Sequence, residues 1–503
     1  MKGLIATTRW IGVFAFLAYV LSGGGRVVGS DEVSMLELSR SILHGRLDIP
    51  AGATLAGPDG RHYTKNAAGQ AVLALPLVAA AEGIAAVSGL DGLRRTLAVR
   101  FIASFFNAWV VALLLGVFYG AARGLQIRPR AALLATLMLG FATPLWVYAK
   151  SFMAEPLQGL GLLLALAGSA KAEDPKARFI AAIGLFLAIS VKASMLPIAL
   201  LCISPVLMAR PLRDTRPLAI AFALAVAGHL IYNGARFGNP LESGYGAQAT
   251  PAAYTTPLLI GLYGLLISSG KGVLWFAPPL WLAPRGWKTM WLKPPVARRA
   301  AVGAMLAFGA ALVLYGTFEH WAGDGSFGPR YLVPLLPPAF LAVAFALDST
   351  SRAIRAAALV LGALGLVVQL GGVSIHFGAQ MREAGDYPYT RALDDPRFMS
   401  DSHFNPSFSP IVAHWRMLSR NVAEHARGEV PRLSGRGQID ERVGIGRGDQ
   451  ARMLHALDFW WLYMLYAGLP VWPIALMMVL LIGGMVWAAL QLQAAVEAEA
   501  RQA

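Results

Sequence analysis

The chain has 503 residues, of which 56% are hydrophobic and only 14% charged. Soluble domains carry about 25% charged residues, so most of this surface must face lipid, and a soluble multidomain protein is excluded. The net charge of +15 does not point to nucleic acid, because the basic residues fall in short clusters between apolar segments, as membrane topology is encoded.

In chain order, spanning helices are predicted near residues 4–22, 98–120, 131–148, 153–170, 178–195, 196–209, 217–233, 273–287, 300–318, 331–347, 354–374 and 470–490, about twelve in all. The expected fold is all-α, a polytopic transmembrane helical bundle with extracytoplasmic loop helices. Residues 11–21 have the length of a signal-peptide core; they are read as an uncleaved anchor. The run 71–90 contains Pro76 and Glu82 and suits either a span or a helix lying at the outer surface. Charge favours the surface without closing the question. With 71–90 outside, the basic clusters at 2–9, 121–130, 171–178, 210–216, 285–299 and 352–355 all become cytoplasmic, and the short outer turns keep mostly single cations. The single cysteine, Cys202, lies in an apolar run and rules out an internal disulfide or a cysteine metal site.

This arrangement gives a membrane bundle over 1–374 with a first outer loop at 23–97. An outer cap follows at 375–458, and a last span with a cytoplasmic tail at 459–503. The cap is polar, with eleven arginines between Arg382 and Arg452, helical near 411–427 and flexible and Gly/Arg-rich near 434–448. There is no internal repeat, nucleotide-binding glycine motif or zinc spacing.

The residues able to do chemistry gather in the outer turns. Ser30-Asp31-Glu32 opens an amphipathic stretch. It reads as a helix cap with two carboxylates favoured by the dipole, or as a general base at the membrane surface. Arg61-His62-Tyr63-Thr64-Lys65-Asn66 is an interfacial Lys/Tyr belt or a cationic grip on a lipid phosphate, where Lys65 and Tyr63 would act. Tyr148 to Pro156 holds Lys150 and Glu155. An acid and a base in so apolar a stretch must pair or line a polar cavity; Glu155 could instead orient acceptor or base, or share a divalent metal. Arg330 follows a Gly/Pro-rich turn at 323–329, and Lys271 ends a similar basic turn at 262–272; both are snorkelling cations or phosphate clamps. His229, His320 and His376 are isolated and read as structural or interfacial.

These pieces, in this order, resemble the outer loops of the GT-C membrane glycosyltransferases, in particular bacterial relatives of the dolichyl-phosphate-mannose protein mannosyltransferases and the lipid A aminoarabinose transferase. The resemblance runs over Asp31-Glu32, His44-Gly45-Arg46-Leu47-Asp48, Asp59 to Lys65, Thr143-Pro144-Leu145-Trp146 with Lys150 and Glu155-Pro156, and Ser326 to Tyr331. It covers roughly 1–350. It departs after Lys65, where many relatives have an aromatic or histidine and two prolines but this chain has Asn66-Ala67-Ala68-Gly69. The resemblance implies an active site at the outer face of a bacterial inner membrane, a polyprenyl-phosphate sugar donor, and inversion at the anomeric carbon. By motif position it puts Asp31 at the catalytic acid site and Lys65 at the donor-phosphate site. The acceptor is a glycan, lipid or protein, and no nucleic acid is a partner. Two other classes fit the composition. A transporter or flippase would show pseudo-symmetry and broken midplane helices. A glycan polymerase or ligase would place functional arginines in a late loop such as 382–452.

Overall fold

The computed structural model of the protein describes residues 2–50, 54–323, 325–385, 400–433, 439–440, 445–446 and 452–502. Asp324 and most of the Gly/Arg-rich stretch at 434–448 lie outside them. The described residues are all-α apart from two short hairpin pairs, Leu55–Ala56 with His62–Tyr63 and Ile439–Asp440 with Ile445–Gly446. In order, the helices are α1 (Lys2–Leu21), α2 (Ser30–Ile42), α3 (Ala68–Leu73), α4 (Leu75–Val87), α5 (Gly92–Ala103), α6 (Phe106–Gly124), α7 (Pro129–Phe141), α8 (Leu145–Ala149), α9 (Glu155–Ala170), α10 (Pro175–Val191), α11 (Met195–Ala209), α12 (Leu212–Phe237), α13 (Leu258–Ile267), α14 (Val273–Phe276), α15 (Ala283–Trp291), α16 (Pro295–Gly316), α17 (Leu336–Leu347) and α18 (Arg352–Ser374). Cap helices follow at Phe377–Glu383, Ser400–Phe404 and Pro410–Ala426, then Trp460–Tyr466 and the C-terminal helix Val471–Gln502. Among the described residues, seven helical segments are long and apolar enough to cross a bilayer, with shorter apolar helices beside them. The chain is a membrane protein.

Prolines and glycines cut several expected spans. The run 131–148 divides into α7 and α8 at Thr143-Pro144, and 273–287 becomes α14, a 3₁₀ turn at Pro278–Leu282, and α15. Pro278 and Pro279 have no N–H to donate and cannot continue a helix. At 71–90, α4 is 13 residues long, about 20 Å, short of a core about 30 Å thick. Its Glu82 is bound by Arg40 of α2 and Arg95 of α5, each at 2.6 Å. That pairing keeps α4 with the first loop, as a surface helix requires. The turn at 262–272 hides a ten-residue apolar helix, α13. At about 15 Å it reaches only half-way across a bilayer.

Without water to drive helices together, close backbone approach does it. A Cβ on Gly184 of α10 would overlap the Ala165 nitrogen of α9, and one on Gly261 of α13 would overlap the Gly316 carbonyl of α16. The most enclosed helix is α17, buried at every residue from Leu336 to Leu347. It is wrapped by α7, α9, α15 and α16.

Chain direction gives the bundle two ends. α1, α7, α16's continuation into Arg330, and α18 bring residues 22–31, 150–155, 317–330 and 375 to one end. The starts of α7, α10 and α18 and the ends of α6, α9, α17 and the C-terminal helix lie at the other. That far end is held by Arg128–Asp348 at 2.7 Å and by Glu173 between Arg210 and Arg299 at 2.6 and 2.7 Å. The C-terminal helix packs on α1. Its Glu499 accepts from Thr7 at 2.9 Å and Tyr119 at 2.8 Å and pairs with Arg123. At the near end the cap returns to the bundle at Asp458, buried between Arg26 at 2.6 Å and Lys150 at 2.8 Å. Tyr463 donates to the same carboxylate at 2.8 Å.

Candidate active site

The near end carries the ionisable cluster. Its first member is positioned by the cap of α2. The Gly29 N–H donates to Glu32 Oε2 at 2.7 Å, and the Phe152 N–H donates to Glu32 Oε1. Glu32 is buried and ties the first loop to the 150–155 turn. Burial pushes its carboxyl pKa up, against the pull of those backbone donors. One residue earlier on the same turn, and so rotated by about 100°, Asp31 faces another way. It meets Arg330, whose Nη2 donates to Asp31 Oδ2 at 2.9 Å. Arg330 Nε donates to Glu155 Oε1 at 2.6 Å. One guanidinium therefore bridges two carboxylates that lie 124 positions apart in the chain. The pairing is largely dry, with side-chain exposures of 19% for Asp31, 14% for Arg330 and 2% for Glu155. Glu155 Oε2 is buried and has no hydrogen-bond partner among the described residues.

Two lysines complete the cluster. Lys65 lies between Thr64 and Asn66, which both bond the Ser34 hydroxyl of α2, at 3.1 and 2.9 Å. Arg236 of α12 holds the Thr64 carbonyl. Lys65 stands exposed over the Tyr245 ring at 5.2 Å. Lys192 occupies the extended link between α10 and α11, its ammonium 4.8 Å from the Tyr331 ring centre. Tyr331 stacks on Tyr315 at 4.4 Å, and Tyr315 is hydrogen-bonded to Ser194 at 2.9 Å. Burial and the neighbouring Arg330 charge push the Lys192 ammonium down to about 8, against the pull of Glu155 and Asp31. Burial alone would raise the Asp31 carboxyl. The Arg330 and Lys65 charges, the Arg330 hydrogen bond and the Lys192 charge outweigh it and hold Asp31 at about 2. The result is a carboxylate held ionised well below neutral pH by the Arg330 contact and the nearby Lys65 and Lys192 charges, beside stacked tyrosines.

The structure thus brings together Asp31, Glu155, Arg330 and Lys65. Glu32 lies beside them, bound to the Gly29 and Phe152 N–H groups, while Tyr63, Lys150 and Lys271 are placed elsewhere. Tyr63 is buried and donates to Asp59 at 2.7 Å. Lys150 belongs to the Asp458 clasp and also donates to the Val373 and Asp458 carbonyls at 2.6 and 2.8 Å. Lys271 is buried and donates to the Ser326 carbonyl at 2.7 Å. Lys192, Tyr245 and Tyr315 are the members that sequence reading missed, while Tyr331 closes the turn at Ser326 to Tyr331 already singled out. The available signal was a lone lysine between two apolar runs, which is expensive in a membrane unless it serves a polar site. Two of the described cap arginines are locally paired, Arg420 with Glu383 at 2.8 Å and Arg427 with Glu429 at 3.0 Å. Among the described residues no group of three His, Cys, Asp or Glu could hold a metal.

Neither a scan against protein-family models nor a search of curated proteins by sequence finds a match. Among solved structures, the chain is similar to ArnT from Cupriavidus metallidurans bound to undecaprenyl phosphate, with a TM-score of 0.51 at 15% identity over 93% of this chain and 78% of that one. The apo structure of that protein compares at a TM-score of 0.47, with the same identity and coverage. At this identity the likeness is one of fold. ArnT, the lipid A aminoarabinose transferase, is a GT-C enzyme, and the fold of this chain is GT-C-like.

Proposed function

We propose that this protein is a membrane glycosyltransferase that moves a hexosyl or pentosyl group from a polyprenyl-phosphate donor to a glycan, lipid or protein acceptor. The site would face the outer side of a bacterial inner membrane, in keeping with the basic clusters of the opposite end. The observation that carries the reading is the convergence of one ionised carboxylate, Asp31, with Arg330, Lys65 and Lys192. The bound undecaprenyl phosphate of the similar ArnT structure supports the donor class.

The proposed step is a single displacement. An acceptor hydroxyl oxygen bonds the anomeric carbon from the face opposite the phosphate, so configuration inverts. The bond from that carbon to the phosphate oxygen breaks, and polyprenyl phosphate leaves with the electron pair. Asp31 takes the hydroxyl proton. A carboxylate near 2 is a weak base, but the acceptor oxygen becomes strongly acidic as it bonds carbon, so an always-ionised group in reach suffices. Lys65, Lys192 and Arg330 offset the charge that grows on the leaving phosphate, which strengthens their contacts in the transition state. The unpartnered Glu155 Oε2 is free to accept a hydrogen bond from a sugar hydroxyl. Tyr245, Tyr315 and Tyr331 offer faces to the sugar ring or the first isoprene units.

The test uses purified protein in lipid nanodiscs, labelled undecaprenyl-phosphate hexoses and pentoses, and solubilised membranes as the source of acceptor. Release of free undecaprenyl phosphate is the readout. Asp31→Asn should lower turnover by about two to three orders of magnitude while retaining donor binding. Near wild-type turnover in that variant would remove Asp31 from the mechanism.

A further inference from the structure

A second cationic feature lies at the opposite end of the bundle, away from the site. The end of α6, the start of α7, the α17–α18 turn and the last turns of the C-terminal helix enclose a cleft of about 1170 Å³. Five arginines line it: Arg123, Arg128, Arg130, Arg355 and Arg501. Two are neutralised within the protein, Arg123 by Glu499 and Arg128 by Asp348. Among the described residues Arg355 donates only to the Thr350 carbonyl and has no acidic partner. Arg130 and Arg501 are exposed and have no side-chain partner among the described residues. Glu497 is the one acid in the lining, so three uncompensated arginines face a single carboxylate. α18 also begins here, and its dipole favours an anion.

The same walls are apolar one turn deeper. Leu134 follows Arg130 by four residues on α7, and Leu359 follows Arg355 by four on α18, so each leucine lies directly below its arginine on one helix face. Both leucines are outward-facing, at 37% and 68% exposure. A cation at the helix end with an exposed leucine one turn toward the membrane matches a phosphate with an acyl chain beneath it. A soluble anion would make no use of the leucines.

We infer that this cleft is a binding site for an anionic phospholipid, its headgroup phosphate held by Arg130, Arg355 and Arg501 and its acyl chain lying on Leu134 and Leu359. Basic pockets between spanning helices take such headgroups at the leaflet they face. The site is separate from the proposed donor site: α18 begins at the cleft and its 23 residues, about 35 Å, carry the chain to the other end of the bundle.

The experiment is native mass spectrometry of the full-length protein released from detergent, with phosphatidylglycerol or phosphatidylcholine added. The protein should retain phosphatidylglycerol preferentially. Arg130→Gln with Arg501→Gln should weaken that retention roughly 25-fold, at about fivefold per arginine near the surface. Lys288→Gln with Lys293→Gln removes the same charge from exposed positions at the same end but outside the cleft, and should leave retention unchanged. Thermal unfolding of the cleft variant should match wild type, since neither arginine is paired. Equal retention of both lipids, or full retention by the cleft variant, overturns the site. Equal weakening by the lysine pair reduces it to diffuse charge and overturns it too. Displacement of the lipid by glycerol 3-phosphate at similar concentration would show that the acyl chain contributes nothing, against the lipid assignment.

Discussion

Replacing Arg330 with glutamine removes the cation between two carboxylates and leaves both without a charged partner at their present contacts of 2.9 and 2.6 Å. Removing one partner from a buried ion pair costs about 3–5 kcal/mol. The Asp31 share follows from its titration. Its carboxyl is lowered from 3.8 to about 2, so the stabilisation is present above pH 3.8 and is lost as pH falls through about 2; at neutral pH it amounts to about 2 kcal/mol. Arg330 supplies the largest part of that lowering. The rest of the loss belongs to Glu155, the drier group at 2% exposure. Glu155→Gln placed on top of Arg330→Gln should therefore recover about half of the lost stability, by removing the more costly unpaired charge. Turnover should stay low in the double variant, because the phosphate has still lost a cation. Denaturant titration followed by tryptophan fluorescence in detergent, run beside the undecaprenyl phosphate release assay, reads both quantities. An Arg330→Gln variant that loses less than about 1 kcal/mol, the range of a solvent-exposed pair, would refute the buried bridge. So would a double variant less stable than the single one.

Three further outcomes are expected. Lys192 is held at about 8, so it is a cation below that pH and neutral above it, while Asp31 stays ionised down to about 2. The kcat/KM profile should therefore be flat on the acid side to about pH 4 and fall as pH rises through about 8, and Lys192→Arg should move that fall upward. Asp458→Asn breaks a clasp on two buried cations and should cost about 3–5 kcal/mol with donor KM unchanged; a rise in donor KM in Lys150→Met would return Lys150 to the donor site. Gly261→Ala drives a methyl into the Gly316 backbone and should cost about 1–3 kcal/mol, whereas Gly228→Ala, with nothing within 4 Å, should not destabilise, as thermal melts of the two would show.

The fold class was legible because lipid exposure writes itself into every span: apolar runs and basic clusters repeat from 4–22 to 470–490. The breaks were less so. Thr143-Pro144 and Pro278-Pro279 were visible as residues, but hydropathy averages across them, and only the backbone shows that α7 and α14 stop there. α13 escaped because ten residues fall below spanning length. Asp31 and Arg330 stood out as ionisable groups at helix starts beside apolar runs. What no local pattern could supply was the pairing. Arg330 and Glu155 are 175 positions apart and meet only because α9 and α17 pack side by side. Lys192 was absorbed into a predicted span at 178–195; the actual helix ends at Val191, and Lys192 is extended, with φ of −158°, turning its side chain into the site.

The Asp458 clasp also imposes an order on biosynthesis. Lys150 leaves the ribosome 308 residues ahead of Asp458, and Arg26 432 residues ahead. At roughly 5–20 residues per second, Arg26 spends at least about 20 seconds, and as much as a minute and a half, without the counter-ion that its final burial requires. Until then the near end of the bundle cannot close, because sealing either cation in apolar surroundings without its partner is strongly unfavourable. The late carboxylate acts as a latch set only when nearly all of the chain has been made. A chain that ends inside the cap leaves Arg26 and Lys150 without the carboxylate that both pair with in the finished fold.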